Sequence, residues 1–464
     1  MKAKSLTFIK QHLVDLILLL LTILFFVLPG DFVPQFTNDS IGYIDKLILR
    51  SPLYPLWLSL FRCFFSEDFY LTAVIIGQTI LAIFSVTALG MTIRKLFTVK
   101  PLLYCILYPF LLFPYGIELL TSDTPLLYQR SILTEGLSYS LFYLYLIFFL
   151  TALCRNHAKA LLGSYLCSAI LILLRGQMQL TLIFSVLLSI YLLFSMRKFK
   201  KQFLSLLGSM LCGIILLLVI TKSITFVYSQ HVFGEPVKPE FTNTSYMINF
   251  LYTADDLDRS LFDNHPESEF INLIFDDLES SGYVYANRGT TLSDRRNHLM
   301  DANLYLKLHS YIPLANSYYG SDPSFSDADI YNTYESVAHD LLIALAPRHF
   351  GQWLSGFFSL FFYGTCEAVF FLYPPLKTLC YVYAYVVYFA ALFLSVYRLK
   401  KAHDSIAARF MLCTLIMLTG NLAACCITIG STGRYLSYFW GLFYIAGLLL
   451  LAELFHSQTR YKAS

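Results

Sequence analysis

Long uninterrupted apolar runs recur along this 464-residue chain and constrain its fold more than any other feature. A helix needs about 20 apolar residues to cross the hydrocarbon core of a bilayer. Runs near that length cover residues 12–28, 69–93, 101–117, 132–153, 203–227, 378–397, 410–429 and 436–455. A further stretch, 160–194, carries Arg175 and Gly176 near its middle and predicts two short helices joined by a turn. Because backbone polar groups in lipid must be bonded internally, the sequence predicts an all-α polytopic membrane protein with about ten transmembrane helices.

The distribution of basic residues predicts the orientation of these helices. If the N-terminus is cytoplasmic, the inner segments are 1–11, 94–100, 155–159, 197–201, 398–409 and 456–464. These segments hold 18 of the 33 Lys and Arg and a single acid, Asp404. The loop 228–350 instead holds 18 of the 30 Asp and Glu. Cytoplasmic loops of membrane proteins carry an excess of Lys and Arg. We therefore expect a bacterial cytoplasmic (inner) membrane protein with both termini cytoplasmic and an outer loop at 228–350.

These predictions divide the chain into four parts. They are an N-terminal membrane module (1–227) with a first outer loop (29–68), an extracytoplasmic loop domain (228–350), an interfacial or re-entrant segment (351–377) and the C-terminal membrane helices (378–464). The loop domain is predicted to be mostly helical, because Phe270, Leu273, Ile274 and Leu278 have helical spacing. None of the ten cysteines lies in this loop, so no disulfide framework is expected there.

The run 351–373 leaves one alternative open, because it is apolar enough to span the membrane. A span there would place Arg398, Lys400 and Lys401 outside, against the bias of the other basic residues. Eleven spans and an external C-terminus are the alternative to the ten-span prediction.

The first outer loop predicts two amphipathic helices at the outer membrane interface. Apolar residues of the first recur at helical spacing: Ile41, Ile44, Leu47 and Ile48. Those of the second, which follows Ser51 and Pro52, form a stripe expected to face lipid: Leu53, Leu56, Trp57, Leu60, Phe61 and Phe64. Asp39 lies where the first span leads into these helices, so an acid at this position reaches both water and the lipid headgroups.

The order of short motifs resembles that of the GT-C superfamily of membrane glycosyltransferases. The motifs are Asp39 and Tyr43 after the first span, SPLYP at 51–55, RSILTE at 130–135, LLR at 173–175 and GRY at 433–435. The superfamily includes protein O-mannosyltransferases, lipid A aminoarabinose transferases and oligosaccharyltransferase catalytic subunits. The resemblance covers roughly residues 30–195 and the final outer loop.

The resemblance implies transfer of a sugar from a polyprenyl-phosphate carrier to a lipid or glycan acceptor on the extracytoplasmic face. Asp39 would be the catalytic acid that deprotonates or orients the acceptor. The substrate-binding residues would be Tyr43, Arg130, Glu135, Arg175 and Arg434. Asn38 stands where many relatives have a second acid, so a divalent cation stays an open question. The implied partners are lipid-linked sugar, acceptor and membrane lipids, and no nucleic acid.

Structural alternatives exist for each of these residues. Asp39 has the position of a helix N-cap, Glu135 is an acid favoured at a helix N-terminus, and arginines at span ends can extend to headgroups. Two other functions also stay open, an O-antigen polymerase or ligase and a lipid-linked-glycan transporter or flippase. A transporter would carry charged residues at mid-span depth, whereas most in-span positions here are apolar. Asp15, near the inner end of the first span, is a mild exception.

Overall fold

The fold is helical. The computed structural model describes residues 2–29, 31–37, 39–48, 50–121, 127–237, 242–368, 377–428, 430 and 433–462. Within these ranges seven helices are long and apolar enough to cross a membrane. Three shorter apolar helices accompany them: Leu13–Val27, Pro101–Gly116 and Ala158–Leu174. The predicted class, an all-helical membrane protein, is confirmed.

The chain forms two compact units. The first contains residues 1–225, 386–418 and 437–464, and the second contains 226–385 and 419–436. The helices up to residue 233 are α1 (Lys2–Val27), α2 (Ser40–Ile44), α3 (Leu53–Phe64), α4 (Tyr70–Leu96), α5 (Pro101–Leu107), α6 (Pro109–Thr121), α7 (Thr134–Arg155), α8 (Ala158–Leu174), α9 (Gln179–Met196) and α10 (Lys200–Phe233). The remainder are α11 (Thr242–Leu251), α12 (Ser268–Ser281), α13 (Leu292–Tyr305), α14 (Ile312–Tyr319), α15 (Asp327–Glu367), α16 (Lys377–Lys401), α17 (Ile406–Thr428), α18 (Gly433–Leu436) and α19 (Trp440–Lys462).

Helix α7 is the centre of the first unit and packs against both α4 and α8. Its sequence is apolar on all faces, which is typical of a helix enclosed by others. Its tyrosines are buried and bond through their hydroxyl groups. Tyr143 donates to Leu111 O at 2.7 Å, and Tyr145 donates to Thr181 O at 3.1 Å. The aromatic rings therefore fill the core without leaving these hydroxyls unbonded.

The predicted break at Arg175 and Gly176 is confirmed. Helix α8 ends at Leu174, a 3₁₀ turn covers Gly176–Met178, and α9 begins at Gln179. Arg175 itself has an extended backbone between the two helices. The break leaves its side chain at the end of α8 rather than along a continuous helix.

One predicted helix differs from the one observed. The first interfacial helix was expected to reach Ile48, but α2 ends at Ile44, and the next residues turn at Lys46, whose φ is +54°.

The run 101–117 forms one apolar helix, Pro101–Gly116, as predicted. It contains α5 and α6, which meet at Tyr108, where the backbone stays helical. Pro109 has no N–H to donate, which interrupts the hydrogen bonding between the two parts.

Only part of the predicted apolar stripe of α3 is exposed. Three of the six residues predicted to face lipid are exposed: Leu56, Leu60 and Phe64. The other three, Leu53, Trp57 and Phe61, pack against a buried cluster that includes Tyr54 and Leu58 of the same helix. The cluster also contains residues of α4, α7 and α8, so α3 is fixed on the helical core and exposes a narrower apolar stripe.

The second unit contains the predicted loop helices. Helix α12 buries Phe270, Ile274 and Leu278 as the spacing predicted, whereas Leu273 is exposed. Helix α15 begins with a capping box between Ser326 and Asp329 and continues for 41 residues. The boundary predicted between 350 and 351 lies inside it, and 351–367 therefore continues a loop helix. Residues 369–376 of the predicted interfacial segment lie outside the described residues.

Candidate functional site

A short backbone pairing attaches the first outer loop to the segment before α7. Gln35 N donates to Arg130 O at 2.8 Å, and Ile132 N donates to Gln35 O at 3.0 Å. This bridge is the one isolated β-pairing within the described parts of the chain. It brings the residues that follow α1 beside the start of α7, although about 95 positions separate them in sequence. Two parts of the GT-C-like pattern are thereby adjacent.

Arg130 is fixed to the end of α1. Its guanidinium donates to four carbonyl oxygens, those of Phe26, Val27, Pro29 and Asp31, at 2.8–3.3 Å. The last carbonyls of a helix have no partner within the helix, and a basic side chain can satisfy them. Burial lowers the pKa of Arg130, while the charge of Asp31 opposes this. These bonds favour a role in anchoring α1 over the predicted contact with the carrier, which stays a prediction.

Asp39 forms an ion pair with Arg50. Arg50 Nη2 lies 2.9 Å from Asp39 Oδ1, and the two side chains are 26% and 33% exposed. Asp39 precedes α2, but its side chain makes no capping hydrogen bond to that helix. The capping alternative for Asp39 therefore does not describe the observed contact.

Tyr43 connects this pair to the helical core. The Arg50 guanidinium lies over the Tyr43 ring at 4.6 Å, and Tyr43 meets Tyr54 edge to face at 5.1 Å. Tyr54 donates to Gln78 Oε1 at 2.8 Å. Gln78 Nε2 in turn donates to Gln129 O at 3.1 Å, on the segment that carries Arg130. A continuous set of contacts thus leads from Asp39 to α4 and to the start of α7.

Glu135 and Arg175 form a buried ion pair beneath Tyr43. Arg175 Nη1 lies 2.5 Å from Glu135 Oε1, and the side chains are 10% and 0% exposed. Thr134 donates to the second Glu135 oxygen at 3.2 Å and also hydrogen-bonds Tyr43. We call Asp39, Tyr43, Arg50, Glu135 and Arg175 the acid–arginine site. Four of these five residues were predicted site residues, and the structure brings them together.

Burial and charge act together on the two tyrosines of this region. Burial raises the pKa of Tyr43, while Arg50 lowers it, Glu135 raises it and Arg175 lowers it. Burial also raises the pKa of Tyr54 well above its ordinary value, with Tyr43 and Glu135 adding to the effect. Both phenols stay protonated near neutral pH and act as hydrogen-bonding groups, not as bases.

The sixth predicted residue, Arg434, belongs to the second unit. Its guanidinium lies 5.2 Å from the Tyr435 ring, and Nη2 donates to the Tyr435 hydroxyl at 3.4 Å. The neighbouring end of α17 is supported by Asn249, whose Nδ2 donates to Ile427 O at 2.8 Å. Asn303 Nδ2 donates to Asn249 Oδ1 at 3.1 Å and holds that amide in place.

Four residues of this region were not predicted as site residues from the sequence: Arg50, Tyr54, Gln78 and Thr134. Arg50 was detectable, because it is a basic residue on the predicted outer side, where such residues are the minority. Tyr54 lies within the SPLYP run, but no residue of that run was predicted as a site residue. Thr134 lies within the RSILTE run, of which only Arg130 and Glu135 were predicted as site residues. Gln78 carries no signal of its own within an apolar helix, and only the packing of α4 against α7 reveals it.

In the described residues no group of three or more His, Cys, Asp or Glu side chains is arranged to hold a metal ion.

Searches for a similar protein-family model, curated protein or solved structure gave no match.

Proposed function

We propose that this protein is a membrane glycosyltransferase that moves a sugar from a polyprenyl-phosphate carrier to an acceptor on the extracytoplasmic face. The observation that carries the proposal is the acid–arginine site. Residues from the first outer loop, the start of α7 and the end of α8 meet around Tyr43, and the GT-C resemblance had selected most of them independently. The product would enter a cell-surface glycan or glycolipid.

In this reaction the acceptor hydroxyl oxygen forms a bond to the anomeric carbon of the sugar. The bond from that carbon to the carrier phosphate oxygen breaks, and its electron pair stays on the departing phosphate. The hydroxyl proton passes to Asp39. A carboxylate placed within hydrogen-bond reach of the acceptor raises the rate by about 10²- to 10⁴-fold. We expect inversion at the anomeric carbon, because in a single displacement the acceptor attacks the face opposite the departing phosphate.

The buried pair gives Glu135 and Arg175 a positioning role in this proposal. Arg175 is almost covered and is already bonded to Glu135, so little of its guanidinium can reach a carrier phosphate. The pair instead fixes Thr134 and, through it, the hydroxyl of Tyr43. Tyr43 presents its ring to Arg50 and is the proposed substrate-binding residue of the set. Arg434 stays a predicted substrate-binding residue.

The position of Asp15 favours the enzyme over a transporter. This in-span acid pairs with Arg94 at 2.6 Å, in a segment that the proposed topology places at the cytoplasmic end of the helices. A transporter would instead carry charges at mid-span depth.

The proposed topology has ten spans with both termini inside. A cysteine replacing the exposed Asp404 should resist an impermeant thiol reagent in intact cells, because the loop between α16 and α17 is cytoplasmic. A cysteine replacing the exposed Ser280 of α12 should react, since that helix is extracytoplasmic. The measurement is gel-shift labelling in a background without reactive native thiols.

Labelling at both positions would make 351–373 a true span and support the eleven-span alternative. Protection at 280 together with labelling at 404 would show that the protein has the opposite orientation, and transfer on the extracytoplasmic face would then be contradicted. Asp404 is chosen for this test because it is exposed, whereas the neighbouring Ser405 is buried and donates to Glu453 at 3.0 Å.

Deleting the gene tests the function itself. A sugar should disappear from a surface glycan or glycolipid, and its polyprenyl-linked form should accumulate on the outer face of the membrane. Mass spectrometry of lipid-linked intermediates, combined with an impermeant oxidant, measures both. Accumulation on the cytoplasmic face would instead indicate a flippase, and shortened or unattached polymers would indicate a polymerase or ligase.

A further inference from the structure

We propose that a row of aromatic side chains on the second unit binds an uncharged sugar chain, the acceptor of the proposed transfer. The choice of acceptor rests on the proposed function, whereas the binding surface rests on the geometry of the second unit alone. The rings belong to α13, to the turn that follows it and to the segment after α12, and each is at least partly exposed. We call them the aromatic strip: Tyr283, Tyr285, His298, Tyr305 and His309.

Neighbouring rings of the aromatic strip pack against one another. Tyr283 lies in the middle, with its ring centroid 5.7 Å from that of His298 and 4.8 Å from that of Tyr305. The Tyr305 centroid in turn lies 6.0 Å from that of His309. These four rings form a continuous row, so a bound sugar chain meets more than one aromatic group.

The buried Tyr252 of α11 holds one end of the aromatic strip in place. Its ring centroid lies 5.6 Å from that of His298 and 6.0 Å from that of Tyr285. The Tyr252 hydroxyl forms a hydrogen bond of 3.0 Å with His298 Nδ1, and Tyr285 N donates to Tyr252 O at 2.9 Å. Arg288 stacks on the Tyr285 ring at 3.9 Å. Rings that are fixed before a ligand binds lose little freedom on binding, which preserves affinity.

A π-helical turn at Leu306–Tyr311 continues α13 and carries His309. Within it Leu306, Ser310 and Tyr311 are buried, whereas His309 is exposed. Turns of this kind are rare and are found frequently at functional sites. The departure from regular α-helix at the residue that extends the aromatic strip favours a binding role over simple packing.

The chemistry of the aromatic strip suits a sugar. The face of an aromatic ring is electron-rich, and the C–H bonds on one face of a sugar ring carry partial positive charge, so the two attract. Burial lowers the pKa of His298, while the charge of Asp301 opposes this. His298 is therefore a neutral ring near pH 7.

Two acids beside the aromatic strip add hydrogen-bond acceptors. Asp301 is exposed and its charge acts on His298. Asp277 is partly exposed, and its charge adds to burial in raising the pKa of Tyr305. An ionised carboxylate only accepts hydrogen bonds, and sugar hydroxyls supply the donors.

The charge of the surrounding loop disfavours an anionic occupant. Residues 228–350 hold 18 Asp and Glu against 7 Lys and Arg. Anionic lipid headgroups attract basic segments and repel acidic ones. The same repulsion acts on a polysaccharide that carries carboxylate or phosphate groups. The aromatic strip is therefore assigned to an uncharged sugar chain rather than to a lipid surface or an acidic polymer.

The test is binding of fluorescently labelled glycans to the purified full-length protein in detergent, measured by fluorescence anisotropy. The probes are the glycans that mild acid releases from the envelope of cells that make the protein, separated into an uncharged and an acidic pool. The uncharged pool should bind, and the acidic pool should bind more weakly. Tyr283→Ala and Tyr305→Ala should each weaken binding by about 3- to 10-fold, the loss expected for one aromatic contact. The double variant should weaken it by about 10- to 100-fold, and Tyr283→Phe, which keeps the ring, by less than about twofold.

Two controls make these results specific. Tyr318→Ala removes a partly exposed tyrosine of the same unit whose ring packs on Phe270 and Tyr319, and it should leave binding unchanged. The same titration with the protein in lipid nanodiscs should give the same affinity. Binding in detergent that is lost in nanodiscs would show that the aromatic strip lies against lipid and would overturn the inference. Thermal unfolding of each variant confirms that it is folded.

Absence of binding by the uncharged pool would also overturn the inference, and so would equal binding by wild type and a folded Tyr283→Ala/Tyr305→Ala protein. These outcomes are separate from failure of the proposed function, because no sugar transfer is measured. Glycan binding by a protein without transfer activity would keep the aromatic strip as a glycan-binding surface and remove the glycosyltransferase. Transfer activity without this binding would do the reverse.

Discussion

Asp39→Asn is expected to lower sugar transfer by about 10²- to 10⁴-fold, because the amide keeps the shape of the side chain and cannot accept a proton. The free energy of unfolding should stay within about 1 kcal/mol of wild type, since the partly exposed pair with Arg50 contributes little. The measurement combines a transfer assay with thermal unfolding of the purified protein. Loss of transfer without loss of stability separates a chemical role from a structural one.

Asp45→Asn is the matched control. Asp45 is an exposed acid at the C-terminal end of α2, the short helix that follows Asp39. Its replacement by asparagine should leave both transfer and stability unchanged. An active Asp39→Asn protein would remove the catalytic assignment. Equal losses in both variants would point to the net charge of the loop rather than to one carboxylate.

The helical class and the break at Arg175 were predictable because both depend on local composition. Apolar runs near 20 residues determine helices in lipid regardless of their neighbours, and an arginine followed by glycine interrupts such a run visibly. Helix α2 was predicted too long because its apolar spacing continues to Ile48, while the observed backbone turns at Lys46. There the chain folds back so that Arg50 reaches Asp39, which is a tertiary contact that periodicity does not contain.

The candidate site was predictable in its members and not in its pairings. Sequence motifs selected Asp39, Tyr43, Glu135 and Arg175, and the structure brings these four together. Which acid meets which arginine depends on how α4, α7 and α8 pack, and no spacing along the chain encodes it. Arg130 shows the consequence, because its bonds to the carbonyls at the end of α1 could not be foreseen from the motif that selected it as a substrate-binding residue.

Breaking the buried Glu135–Arg175 pair should have the largest effect on stability. Removing one partner leaves the other charge buried without compensation, which typically costs about 3–5 kcal/mol. Glu135→Leu and Arg175→Met should each lower the free energy of unfolding by about this amount, measured by thermal or denaturant unfolding in detergent. Glu67→Gln is the control, since it breaks the exposed pair with Arg62 and should change little.

The double variant Glu135→Leu/Arg175→Met distinguishes the two roles open to this pair. Apolar residues of similar volume often replace a buried ion pair without loss of stability. The double variant should therefore recover most of the stability that each single variant loses. If the pair serves only the fold, transfer should recover together with stability. If it positions Thr134 and Tyr43, the double variant should be stable and inactive, because leucine cannot accept the hydrogen bond from Thr134. A stable and fully active double variant would contradict the positioning role.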